Sequence, residues 1–244
     1  MSIQSPRDRR RIPGALLVTG AVLGLVGNAL HPHTADASAV VTAIAGNGAW
    51  VNIHLAIMVA IVLIIGGLIG LTEQLQGTPG AQLARFGLAA ALLGGSVVTV
   101  STSIDGFAMK TLAVSAAGAL AAEAATAQRV ALAVKDVDFA IWSIGMLLFF
   151  GAAFACFGLA VAASPRYRVW FGWVAVLGAG GSALAAVLQI EASGEVQAAE
   201  TLFFVSSALL TLWVLALGIL VWRGHDEARV DVPWHGPEAA GVRP

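Results

Sequence analysis

Six long stretches without a single Asp, Glu, Lys or Arg divide the chain: Pro13 to Leu30, Trp50 to Leu71, Phe86 to Ile104, Phe139 to Ala163, Val169 to Ile190 and Thr201 to Trp222. Each meets the length of roughly 18 or more apolar residues that a helix needs to cross a hydrocarbon core about 30 Å thick. A transmembrane barrel would instead show segments of about ten residues alternating in polarity. These runs are apolar on every side and rich in Ala, Leu and Gly, so the pattern predicts an all-α, polytopic integral membrane protein with a six-helix transmembrane bundle over residues 13–222. Residues 1–12 form a basic tail, and residues 223–244 mix Pro, Gly and charge without apolar periodicity, which predicts disorder.

The connections differ in what they can build. Thr72 to Arg85, with Gly77, Pro79 and Gly80, and Ser164 to Arg168 are too short to make much of a pocket. His31 to Ala49 contains a predicted short helix from Asp36 to Ala45, stopped by Gly46, Asn47 and Gly48. Gly106 to Asp138 is the longest connection, and its Ala-rich stretch favours helix that extends the neighbouring spans beyond the membrane. Small residues recur on single faces at Gly20, Gly24 and Gly27, at Gly66 and Gly70, at Gly87, Gly94 and Gly95, and at Gly178, Ser182 and Ala186. In lipid such faces let helix backbones approach. They are not nucleotide-binding loops, which need a strand before them and a helix after.

Composition strengthens the membrane reading. The chain is 58% hydrophobic and 11% charged, with a mean hydropathy of +0.85, whereas soluble domains carry about a quarter charged residues. Charge then sets orientation, because basic residues are retained on the cytoplasmic side. With both termini inside, Arg7, Arg9, Arg10, Arg11, Arg85, Arg166, Arg168, Arg223, Arg229 and Arg243 are cytoplasmic, and only Lys110, Arg129 and Lys135 are outside. The same assignment places Asp36, Asp105, Glu123, Asp136, Asp138, Glu191, Glu195 and Glu200 on the outer side, making that face acidic. The expected location is a bacterial-type cytoplasmic membrane. Arg7 to Arg11, the apolar stretch to Leu30 and the small residues after it also resemble a cleavable secretory signal, but the stretch is longer than most signal cores and reads better as the first span. A net charge of −1 gives no support for nucleic-acid binding.

Candidate chemistry is confined to the outer side. His31 and His33 lie where the first span exits, His54 one turn into the second, Asp105 where the third exits, and Asp138 where the fourth enters. His54 shares a helical face with Ile57, Met58 and Ile61, which aims its imidazole into the bundle. An intramembrane ionisable group is a functional hypothesis by default. The competing structural readings are solvation or capping for His31 and His33, and for His54 a hydrogen bond to Asp105, Asn28 or a backbone carbonyl. Asp105 is open to a role as helix cap or as a partner of Lys110, and Trp50 suits an interfacial aromatic belt.

Two functional expectations follow. The first is a membrane protein that binds lipid, a lipophilic small molecule or a membrane-protein partner at this acidic, histidine-bearing mouth. The second is a metal-dependent membrane enzyme of hydrolase type using His31, His54 and Asp105, with His33 and Asp138 as further candidate ligands. No cofactor is dictated by the sequence; the ligand types suit zinc or copper, although the spacing is not diagnostic. A metal-free hydrolase with Ser101 or Ser103 as nucleophile lacks an elbow motif. Haem on His54 with Met58 or His31 lacks an attachment motif, and coupled transport lacks charged groups in the middle of the spans, leaving only passive transport. Cys156, the single cysteine, excludes an internal disulfide and reads as a small core residue. The segment Asp105-Gly-Phe-Ala-Met-Lys110 is distinctive without pointing to a known chemistry.

Overall fold

A computed structural model describes residues 6–31, 37–192 and 196–224. The predicted positions His33, Asp36 and Glu195, and most of the C-terminal tail, lie outside the described residues. The elements are α1 (Pro6–Leu30), α2 (Ala37–Gly46), α3 (Trp50–Gln74), α4 (Ala81–Ser103), α5 (Lys110–Ala117), α6 (Ala121–Gly145), α7 (Phe154–Ala163), α8 (Val169–Ala192) and α9 (Gln197–Arg223). Two π-helical segments, Ile104–Met109 and Met146–Ala153, join α4 to α5 and α6 to α7 without a break. Six helical runs are therefore long and apolar enough to cross a membrane: Arg11–Leu30, Trp50–Gln74, Ala81–Ala117, Ala121–Ala163, Val169–Ala192 and Gln197–Arg223. No strand occurs among the described residues.

The third and fourth spans hold 37 and 43 residues. At about 1.5 Å of rise per residue both exceed a hydrocarbon core of about 30 Å, so the long connection does continue its neighbouring helices, turning at Gly118 and Ala119. The short helix in the first connection is present as α2. It packs on α5 and α6, where Val40, Val41, Ile44, Trp50, Met109, Ala113 and Ala131 form a small core of their own.

Within the bundle α1 lies against α3 and α9, and α8 lies against α7 and α9. The small residues act as the sequence predicts. A Cβ on Gly20 would stand 2.8 Å from Ile64, one on Gly94 would stand 2.5 Å from the backbone nitrogen of Phe149, and one on Gly178 would stand 2.9 Å from Leu210. The first helix differs from expectation at its start. It begins at Pro6, so Pro13 is interior to it, and the ring packs where Gly70 leaves room, since a Cβ there would meet Pro13 Cγ at 2.2 Å. Outward-facing side chains are apolar: Val62 is 65% exposed and Leu177 70%, as lipid-facing positions require. The antiparallel arrangement gives two ends. One carries Arg11, Arg85, Arg166, Arg168 and Arg223; the other carries His31, His54 and Asp105.

Candidate metal centre at the histidine end

His31 follows the last residue of α1, His54 stands on the first turns of α3, and Asp105 is the second residue of the π-helical segment after α4. One ligand atom from each lies within 4.8 Å of the others. His54 Nε2 is 2.9 Å and His31 Nε2 3.3 Å from the same oxygen, Asp105 Oδ2. Trp50 completes the cluster, with ring centres 4.9 Å from His31 and 4.7 Å from His54, while the two imidazoles are 5.1 Å apart.

Each position has a local cause. Trp50 and His54 are four residues apart on one helix and therefore share a face. His54 Nδ1 lies 2.7 Å from the Trp50 carbonyl, to which it can only donate, so the ring's proton on that side is committed. The Trp50 indole N–H donates to the Asp105 carbonyl at 2.8 Å, tying α3 to the π-helical segment. That contact corrects the interfacial-belt expectation for Trp50, which is 2% exposed because a buried acceptor satisfies its N–H. Gly106 then permits the approach: a Cβ there would stand 2.5 Å from His54 Cβ and 2.8 Å from its Cγ. No side chain larger than hydrogen fits between the helices at this point.

Lys110 does not pair with Asp105. Its ammonium donates to the carbonyls of Ile44, Ala45 and Asn47 at 2.8, 2.9 and 2.9 Å, closing the C-terminus of α2 and the turn after it. A cation is favoured there by unpaired carbonyls and by the helix dipole. Asp105 is not a helix cap either, since the backbone is helical on both sides of it and its carboxylate faces the histidines. The segment from Asp105 to Lys110 thus supplies the carboxylate, the glycine clearance, the buried Met109 of the small core and the cation that holds α2.

Asp138 departs from the predicted ligand set. It accepts a hydrogen bond from Ser101 Oγ at 2.7 Å and is not in the group of converging ligand atoms. Ser103 Oγ donates to the Thr99 carbonyl at 2.7 Å. Both hydroxyls thus donate to other acceptors, and the two nitrogens of His54 face the Trp50 carbonyl and Asp105, so neither serine is bonded to His54 as a nucleophile to its base would be. A porphyrin has no open face at His54, whose ring is 2% exposed and flanked by Trp50 and His31.

The arrangement is chemically specific. With Nδ1–H committed to a carbonyl, a neutral His54 presents a lone pair at Nε2 toward a carboxylate oxygen 2.9 Å away. Two lone pairs at that distance repel unless a proton or a metal cation lies between them. The Nδ1–H to carbonyl bond is also the outer contact that fixes a metal-ligating histidine. Ligands about 2.0–2.1 Å from a tetrahedral zinc stand roughly 3.4 Å apart, close to the 3.3 Å from His31 Nε2 to Asp105 Oδ2 and wider than the 2.9 Å from His54 Nε2 to the same oxygen. The cluster is not sealed: the side chains of His31 and Asp105 are 23% and 27% exposed.

Fold and cluster together define a class, that of helical multi-pass membrane proteins with a histidine–carboxylate group at one end of the bundle. Within it the chain belongs to the family described as a domain of unknown function (DUF4386), whose model matches residues 12–218 and so takes in His31, Trp50, His54 and the segment from Asp105 to Lys110. Searches of curated proteins and of solved structures found no match.

Proposed function

We propose that the chain is a membrane-embedded metal protein in which His31, His54 and Asp105 hold a divalent transition metal, zinc first, at the extracytoplasmic end of the bundle. The observation that carries the reading is the convergence of the two Nε2 atoms on one carboxylate oxygen, with the other nitrogen of His54 already bonded to the Trp50 carbonyl. Two imidazoles and a carboxylate form a ligand set of the kind found in catalytic zinc sites, where the fourth position is left to water or substrate. The partial exposure of His31 and Asp105 supports a fourth position open to water. Such a centre lowers the pKa of bound water and polarises a carbonyl or phosphoryl oxygen. Its chemistry is hydrolysis, and its location selects a lipid or peptide bond at the membrane surface. His33 and Asp138 are left out of the ligand set.

Elemental mass spectrometry of the detergent-purified protein, after reloading with zinc and desalting, tests the reading beside His54→Ala and Asp105→Asn. The expected result is about one zinc per chain in the parent and none in either variant. A parent that stays metal-free, or variants that keep zinc at the parent level, would overturn it and leave the cluster as a hydrogen-bonded clamp between α1, α3 and α4.

A further inference from the structure

The opposite end of the bundle carries a groove of about 410 Å³ lined by Arg166, Tyr167, Arg168, Trp170, Phe171, Ala216, Ile219 and Leu220. It lies where the turn between α7 and α8 meets the last turns of α9, and its lining divides by height. Two arginines and a tyrosine stand at the end of the helices, and a strip of apolar side chains runs from them into the span. Among the described residues no acidic side chain lines it. Trp170, at the boundary of the two zones, is 60% exposed, as an aromatic at the headgroup level is placed.

The groove is preformed. Trp213 of α9 donates its indole N–H to the Phe171 carbonyl at 2.9 Å, and the two rings stack with centres 5.6 Å apart. Arg166 is held by a bond from its guanidinium to the Gln74 carbonyl at the end of α3. An arginine with one N–H engaged still presents others in the fixed fork that matches a phosphate. The turn itself, Ser164 to Arg168, contains both arginines and no acid.

We infer that this groove is a binding site for one anionic phospholipid, with its phosphate between Arg166 and Arg168 and an acyl chain along Phe171, Ala216, Ile219 and Leu220. A neutral zwitterionic lipid does not exploit two arginines without a counter-charge on the protein, and a free anion does not use the apolar strip. Basic residues mark the cytoplasmic side of membrane proteins, where anionic lipids give the leaflet its negative potential. The inference is independent of the metal centre, which is built on α1, α3 and the π-helical segment after α4 at the opposite end of the bundle.

Native mass spectrometry of the full chain released from phosphatidylcholine nanodiscs containing phosphatidylglycerol tests the site. The expected result is one retained phosphatidylglycerol per chain. Arg168→Gln, which leaves the bond from Arg166 to Gln74 in place, should lower retention about fivefold, the equivalent of about 1 kcal/mol for one basic residue at the surface. The Arg166→Gln, Arg168→Gln double variant should abolish it, and Arg129→Gln at the histidine end should leave it unchanged. Equal retention of phosphatidylcholine, retention unaffected by Arg168→Gln, or full displacement by millimolar inorganic phosphate would each overturn the inference.

Discussion

At the histidine end, α1, α3 and the π-helical segment meet through directional contacts: two imidazoles on one carboxylate, an indole on a carbonyl, and an ammonium on three carbonyls. At the arginine end, beside the bonds from Arg166 to the Gln74 carbonyl and from Trp213 to the Phe171 carbonyl, the helices meet mainly through shape. Gly172 and Gly158 on α8 and α7 are so close that a Cβ on Gly172 would stand 2.3 Å from the Gly158 carbonyl oxygen, and a Cβ on Gly80 would stand 2.2 Å from that of Ala160. Close backbone approach is the main device where lipid supplies no hydrophobic drive between helices. Polar groups are retained, at a desolvation cost, where their geometry has a further use.

The sharpest way to break the comparison is at the arginine end. In Gly172→Val the added side chain meets backbone atoms, the Gly158 oxygen at 2.3 Å and the Ala162 nitrogen at 2.5 Å, which cannot swing aside. The helices must separate, at a cost of about 3 kcal/mol, the upper part of the usual range for overpacking. Thermal unfolding followed with a thiol-reactive dye at Cys156, the single cysteine, should show a clear loss of stability, with zinc binding by the remaining folded protein unchanged. Parent-like stability would mean that α7 and α8 are not in backbone contact.

Much of the fold was legible because lipid tolerates no unpaired charge, so the charge-free runs mark the spans directly. Their ends were less so: Glu73 and Arg85 belong to helices that continue past the runs, since a helix does not stop where charge begins. Of the site, His31, His54 and Asp105 were readable from chain order alone, since all three lie where spans reach the same surface. The clearance at Gly106 was not, because a glycine inside a membrane helix reads as ordinary packing. Nor was the role of Lys110. A search for charge partners offers Asp105, whereas the true acceptors are carbonyls of a helix some 60 residues earlier in the chain. The π-helical segment adds to this difficulty, because its wider turn changes which face each residue from Asp105 onward takes, and no composition rule announces it. Asp138 stands outside the converging group for a plainer reason: at helix ends that converge, a nearby hydroxyl, here Ser101, takes the carboxylate as its acceptor.

At the histidine end the comparison is sharpened by Lys110→Met, which keeps the length of the side chain and removes the donor. Three carbonyls lose their partner, and a loss of about 2 kcal/mol is expected, in line with hydrogen bonds to a charged group. The loss should be local. Hydrogen exchange should accelerate across α2 while the spans keep their protection. Uniform acceleration through the bundle would show instead that the polar latch supports the whole fold, and that the two ends are not as separate as their contacts suggest.

The smallest effect, and the most discriminating, is expected from Trp50→Phe. The ring that packs beside His31 and His54 is largely kept, and only the N–H donated to the Asp105 carbonyl is lost. A single such bond contributes about 1 kcal/mol to stability. Yet removing an outer contact that orients a ligand typically lowers metal affinity by about 10-fold or more. Zinc titration by competition with a chromophoric chelator should therefore show a larger free-energy change than unfolding does. If both measurements fall by the same small amount, the indole acts as one more packing contact. The carboxylate is then placed by the Gly106 backbone alone, and the histidine end obeys the same rule of close approach as the arginine end.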